Sequence, residues 1–273
     1  MAYIAEEMHP TATGLAMGLY ISGNAIGGMT GRLLSGALAD FFSWRIALGA
    51  IGLEGLLCAL LLWRSLPPSR HFSPRPFHPR ALLRAMIRHL RDPVLLYLFA
   101  EAFLLMGGFV AAYNFIGYRL LAPPYSLSQT MVGLIFSVYL AGVLSATAMG
   151  NLSRRLGHLP VIAGNIVLML LGLALTLAQS LPLVVLGIAC ITAGFFGAHA
   201  VASAWVAGSA GENRAQASSL YLFSYYAGSS LAGSAAGAAW SVDGWSGVAR
   251  LVGVLLVMAL GFLGVLGRKS VLF

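Results

Sequence analysis

Eight stretches of this chain are apolar over the length that a helix needs to cross a bilayer. They lie at approximately 14–38, 46–66, 94–117, 131–150, 159–178, 182–206, 216–238 and 249–267, and a hydrocarbon core of about 30 Å takes roughly 20 residues of helix. Inside hydrocarbon every backbone N–H and C=O must be bonded within the protein, so segments of this kind are helical. The chain therefore reads as an all-α polytopic membrane protein with about eight transmembrane helices, and residues 1–5 look like the stub of one more. Composition agrees. Hydrophobic residues make up 59% and charged residues 9%, against about 25% charged in a soluble domain.

A net charge of +8 would suit a nucleic-acid partner if it formed a patch, but here it lies in short loops, where it reports topology. Arg64, Arg70, Arg75, Arg80, Arg84, Arg88, Arg91, Arg154, Arg155, Arg214, Arg268 and Lys269 fall on one side, and Arg45, Arg119 and Arg250 on the other. Positive loops stay in the cytoplasm. The 67–93 loop and the C-terminus are thus expected to be cytoplasmic, with the Trp44 and Trp245 turns facing outward. Cys58 and Cys190 lie in apolar runs far from any metal-type spacing and read as small buried hydrophobes. No metal or cofactor is expected.

The 67–93 loop divides the chain into 1–66, 67–93 and 94–273. It opens with Pro67-Pro68 and continues through an irregular Ser/Pro/His/Arg stretch. Pro79 can start a helix, and Asp92-Pro93 should end it. Arg80, Arg84, Arg88 and Arg91 form one stripe and Leu83, Ile87 and Leu90 another. That pattern predicts an amphipathic helix lying at the membrane interface against anionic headgroups.

A repeat organises the spans. GLYISGNAIGG near the start returns as SLYLFSYYAGS 201 residues later, matching Leu19 with Leu220, Tyr20 with Tyr221, Gly27 with Gly228 and Trp44 with Trp245. The second copy is the sixth span after the first, which is the mark of two parallel six-helix halves. GNAIGG, from Gly23 to Gly28, resembles the G-P-x-x-G-G core of the fifth-helix motif of many proton-coupled exporters, with Asn24 in place of the proline. GNLSRRLGH, from Gly150 to His158, resembles the G-x-L-x-D-R-x-G-R cytoplasmic turn. Arg155 and Gly157 match, Arg154 stands at the acidic position, and His158 replaces a basic residue. On these residues the chain resembles a major facilitator superfamily transporter over essentially its whole length. The resemblance implies that it begins near the end of the family's fourth helix and holds helices five to twelve. Residues 1–66 would then be a remnant of the N-terminal half and 94–273 the complete C-terminal half.

The glycines also have a plain reading. Gly23, Gly27 and Gly31, with Gly28 beside them, make a smooth helix face for close packing, and Ser229, Gly233 and Gly237 repeat it. Gly150, Arg154, Arg155 and Gly157 make the tight cytoplasmic turn.

Four ionisable residues fall inside spans: Arg32, Glu54, Glu101 and His199. A charge at mid-membrane is costly unless paired or solvated, which makes each a functional candidate. Arg32 lies roughly 9 Å and Glu54 roughly 12 Å below the outer ends of adjoining antiparallel spans. Depth therefore allows a structural Arg32–Glu54 pair, or an Arg32 that faces a cavity and binds an anionic group. Glu101 and His199 are candidates for the coupling proton, and His199 alternatively makes an interhelical hydrogen bond. Gly108 and Ala112 share the Glu101 face and should leave room for water or substrate. Tyr20, Asn24, Tyr113, Tyr139, Trp205, Tyr225 and Tyr226 are candidate cavity residues, a mixture that suits an amphipathic organic substrate. Gly244-Trp-Ser-Gly247 matches a serine-protease string, but His199 lies near the opposite membrane face, so no enzyme is expected.

The resemblance implies a multi-pass protein of a bacterial inner membrane. Its implied work is secondary active transport, with proton-coupled efflux of small organic molecules by alternating access. Uptake of a small metabolite, or a non-transporting fragment that needs its missing N-terminal helices or a partner, stands as the alternative. The partners expected are the lipid bilayer, a small-molecule substrate and protons.

Overall fold

A computed structural model describes residue 7 and residues 10–68, 79–210 and 214–270, and every regular element among them is helical. Helix α1 (Pro10–Phe41) and α2 (Trp44–Ser65) are separated by a turn in which Ser43 Oγ accepts the Ile46 amide at 3.3 Å. Helix α3 (Pro79–Arg91) occupies the stretch expected to be amphipathic. Asp92 alone divides it from α4 (Pro93–Leu121). The Asp92 carboxylate accepts the amides of Val94 at 2.8 Å and Leu95 at 3.2 Å, and Pro93 takes a first-turn position that needs no donor.

Next come α5 (Gln129–Ile135), a 3-10 turn (Phe136–Val138) and α6 (Tyr139–Leu156). They are followed by α7 (His158–Leu175), α8 (Leu181–Ser209) and α9 (Arg214–Ser270). Straight, the 55 residues of α9 from Arg214 to Arg268 would run about 82 Å, more than twice a bilayer core. Asp243 (φ −146°, ψ 30°) and Gly244 (φ 52°, ψ −137°) leave helical geometry and break it into two arms of span length. Gly244 has the positive φ that a glycine adopts without strain. With that break, seven of the eight expected spans fall on single α-helices or helical arms, while 131–150 is built from α5, the 3-10 turn and α6.

The contacts divide the chain into two compact units, residues up to 77 with 127–140, and residues 78–126 with 141–273. In the first, α1 and α5 touch backbone to backbone. A methyl group at Gly36 would lie 2.6 Å from the Gln129 carbonyl oxygen, and one at Gly133 would lie 3.2 Å from that of Arg32. A Cβ at Gly23, Gly27, Gly28 or Gly31 would meet nothing among the described residues, so the close approach of α1 falls further along, at Gly36.

In the second unit α4 nests between the two arms of α9. A methyl at Gly228 would collide with the Phe103 backbone, and one at Gly107 would lie 2.9 Å from Ala232 Cβ and 3.1 Å from the Gly228 carbonyl. Gly233 faces Asn114, and Gly237 faces Phe115. These pairs climb together, so the first arm runs parallel to α4. The second arm runs back, pairing Phe262 with Tyr97 and Val252 with Gly108. Helices α7 and α8 form an antiparallel pair sealed at Gly172, Gly187 and Gly194, each of which faces the other helix's backbone. In lipid the hydrophobic effect does not press helices together, so small residues that admit close van der Waals contact hold these crossings.

Gly228→Val should therefore cost about 1–3 kcal/mol through overpacking, whereas Gly164→Ala, where a Cβ meets open space, should leave stability unchanged. Thermal unfolding of the two variants in detergent checks the contrast.

Candidate functional site

The second unit gathers the strongest cluster of polar groups around Glu101. On α4, Leu98, Glu101, Ala102 and Leu105 form a buried stripe, with Glu101 only 1% exposed. Neither of its carboxylate oxygens finds a hydrogen-bond partner among the described residues. The room expected beside it is filled: Gly108 faces the side chains of Val252 and Leu256 on the returning arm of α9. The Glu101 carboxyl lies within electrostatic reach of Tyr221 on the first arm. Tyr221, buried itself, bonds through its hydroxyl to His199 Nδ1 of α8 at 2.9 Å. The interhelical hydrogen bond considered for His199 is thus present.

Aromatic rings close around this pair. His199 stacks on Phe195 at 5.8 Å and meets Tyr225 at 4.8 Å, and Tyr226 stands edge-on to Tyr225 at 5.2 Å. Phe195 in turn stacks on Phe109 at 4.0 Å. Tyr113 lies one helical turn above Phe109, where its hydroxyl and that of Thr192 are hydrogen-bonded. Three helices therefore converge a carboxyl, a phenol and an imidazole inside a wall of aromatic faces.

Arg32 has a different setting in the first unit. Its guanidinium lies over the rings of Phe136 at 5.0 Å and Tyr139 at 6.0 Å, beside the 3-10 turn between α5 and α6. Glu54 is exposed on α2, and no Arg32–Glu54 ion pair forms among the described residues. Similar depth made that pair possible, but the Arg32 guanidinium lies over the aromatic rings instead. At the end of α1, Asp40 Oδ1 accepts the Gln129 amide at 2.9 Å and Oδ2 the Thr130 amide at 2.6 Å, so one helix caps another.

The other candidates scatter. Trp205 stacks on His158 at 5.0 Å, away from the Glu101 cluster, and the Tyr20 and Asn24 side chains lie outside the described residues. Gly157 begins α7 with φ 86°, the conformation for which the turn needs a glycine, and Arg154 bonds to Asn151 Oδ1 within the same turn. Gly244 and Gly247 serve the break in α9, where a Cβ at Gly247 would strike the Ala239 carbonyl.

Two groups went unnoticed in the sequence. Tyr221 was visible only as the repeat mate of Tyr20. Arg119 counted as a loop charge, yet it donates to the Thr176 carbonyl and, at 2.7 Å, to that of Ala178, beneath the Trp245 ring. Trp245 Nε1 completes the cluster by donating to Thr176 Oγ1 at 3.2 Å.

Known proteins resemble this chain in sequence and fold. The Major Facilitator Superfamily family model matches residues 1–125. The MFS-type transporter YybF of Bacillus subtilis is 46% identical over 269 residues, which cover 98% of this chain and 67% of that protein. The inner membrane transport protein YnfM of Escherichia coli is 50% identical over 260 residues, covering 95% and 62%. The chain thus spans about two thirds of the length of the relatives it matches. A crystal structure of a bacterial homolog of the human lysosomal transporter Spinster, inward-facing and unoccupied, matches with a TM-score of 0.68 at 17% identity. The match covers 97% of this chain and 73% of that one.

The Asp40 cap carries a pH prediction. Hydrogen bonding from Thr130, and then from the Gln129 amide, holds its carboxyl below the ordinary value of 3.8. A depressed folded value means that the cap is fully present above 3.8 and is lost as pH falls through the lower folded value. Hydrogen exchange at the Gln129 and Thr130 amides, corrected for the intrinsic rate, should show protection that fails only in that acid range. In Asp40→Asn the protection should be weaker and insensitive to pH.

Proposed function

The chain belongs to the major facilitator superfamily, and from that premise we propose a proton-coupled efflux transporter for small organic molecules in a bacterial inner membrane. The observation that carries the reading is Glu101, a buried carboxyl without a hydrogen-bond partner among the described residues, on a helix that packs against the one carrying Tyr221. Leaving a charge unpaired in a low-dielectric interior costs several kcal/mol. A carboxyl group escapes that cost by taking a proton, and gives it up again where water reaches it. A group with this property on a helix that packs against both arms of α9 can tie proton release to a change in helix packing.

Tyr221 and His199 would pass the proton onward from Glu101. Tyr225, Tyr226 and Phe195 offer aromatic faces that suit an amphipathic organic substrate. Arg32, held over Phe136 and Tyr139, would bind an anionic substrate group when those rings part. Transport would proceed by rocking helix bundles around a midplane site. The direction, outward, rests on the likeness of Gly23 to Gly28 to the exporters' fifth-helix motif. The split of loop charge supports a cytoplasmic position for the 67–93 loop and the C-terminus.

Two outcomes test this reading. Everted membrane vesicles, screened with a panel of labelled organic compounds, should accumulate a substrate when acidified inside. Glu101→Gln should abolish that accumulation while sparing counterflow exchange, and normal pumping by this variant would make Glu101 structural. For topology, a cysteine at Ser73 should resist an impermeant maleimide added to intact cells and react once the cells are opened.

A further inference from the structure

Helix α3 has three faces, and each meets a different surrounding. Ala85 and His89 are buried, and the helix packs there against α4 and α9. Leu83 (59% exposed), Ile87 (40%) and Leu90 (46%) form an apolar stripe left exposed by the described residues. Arg84, Arg88 and Arg91 are exposed along a stripe about 100° around the helix from the leucines. A solvated loop helix would gain nothing from three large apolar side chains in a row. A helix held by one side to the protein, with its apolar stripe turned outward, has a use for them at a lipid surface.

The location singles out lipid over another protein. Asp92 is the one residue between α3 and the transmembrane helix α4, and its carboxylate caps the first turn of α4. No flexible linker lets α3 swing away from the membrane boundary. The arginines supply charge of a single sign at the edge of the apolar stripe, the complement of an array of phosphate headgroups. We propose that α3 binds an anionic phospholipid surface, with Leu83, Ile87 and Leu90 in the acyl boundary and Arg84, Arg88 and Arg91 on headgroup phosphates. Because Ala85 and His89 anchor the opposite side, headgroup binding also braces the α3–α4–α9 packing. The proposal is independent of the transport reading.

The test uses the whole protein with Cys58 and Cys190 changed to alanine and a bimane label on Leu83→Cys. It is reconstituted in vesicles of phosphatidylcholine alone or with added phosphatidylglycerol. With phosphatidylglycerol, lipids brominated high on the acyl chain should quench the label, and the thermal unfolding midpoint should rise by several degrees. High salt should reverse both effects in the unaltered arginine stripe, and Arg84→Gln with Arg88→Gln and Arg91→Gln should abolish them. Equal quenching in the two lipid mixtures would overturn the headgroup assignment. A label that answers only to aqueous iodide in both mixtures, or a phosphatidylglycerol effect unchanged by salt and by the triple variant, would overturn the proposal entirely. Should the triple variant fail to fold, the salt arm decides by itself.

Discussion

The contact between Gly228 and the Phe103 backbone fixes what the second unit can do. In a bilayer no hydrophobic force gathers helices, so their axes approach only as near as the side chains at the crossing allow. Glycine at 107 and 228 brings α4 and the first arm of α9 into backbone contact. That parallel alignment carries Glu101 to the level of Tyr221, one side of the hydrogen bond to His199. Widening the crossing by one methyl would push α4 away from that arm before any polar group was touched. The chemistry of the cluster is downstream of a packing distance.

Much of the architecture was legible because its causes are local. Span length, loop charge and the Pro79 and Asp92-Pro93 punctuation each act within a few residues, and helices α2 to α4 begin and end close to where they point. The break in α9 was legible too, since Gly244 lies in the polar gap between two apolar runs. The Arg32–Glu54 pair failed for a physical reason. Depth along two antiparallel spans is set by rise per residue, but the direction in which a side chain points depends on the rotation of each helix, which only its neighbours fix. Arg32 turned to Phe136 and Tyr139, residues more than a hundred positions away in the chain. Arg119 was missed because its acceptors are backbone carbonyls at the end of α7, which leave no mark in composition.

The same rule separates the two readings of His199. A histidine within a span is equally conspicuous in sequence whether it serves a neighbour or a proton, and the Tyr221 bond establishes the first of these. Glu101 was conspicuous in the sequence as a carboxyl inside a span, and the fold adds that no described residue hydrogen-bonds to it.

Asp40 has a consequence for how the chain is made. Helix α5 has seven residues and passes at once into a 3-10 turn, too few for a helix to persist alone. Its first turn is capped by Ser128 from within and by Asp40 from a helix 89 positions earlier. During synthesis α1 leaves the ribosome long before α5 exists, so Asp40 waits as a ready template on which the later segment can nucleate. The order of the sequence is then also an order of assembly, with an early helix supplying the first fixed point for a late one.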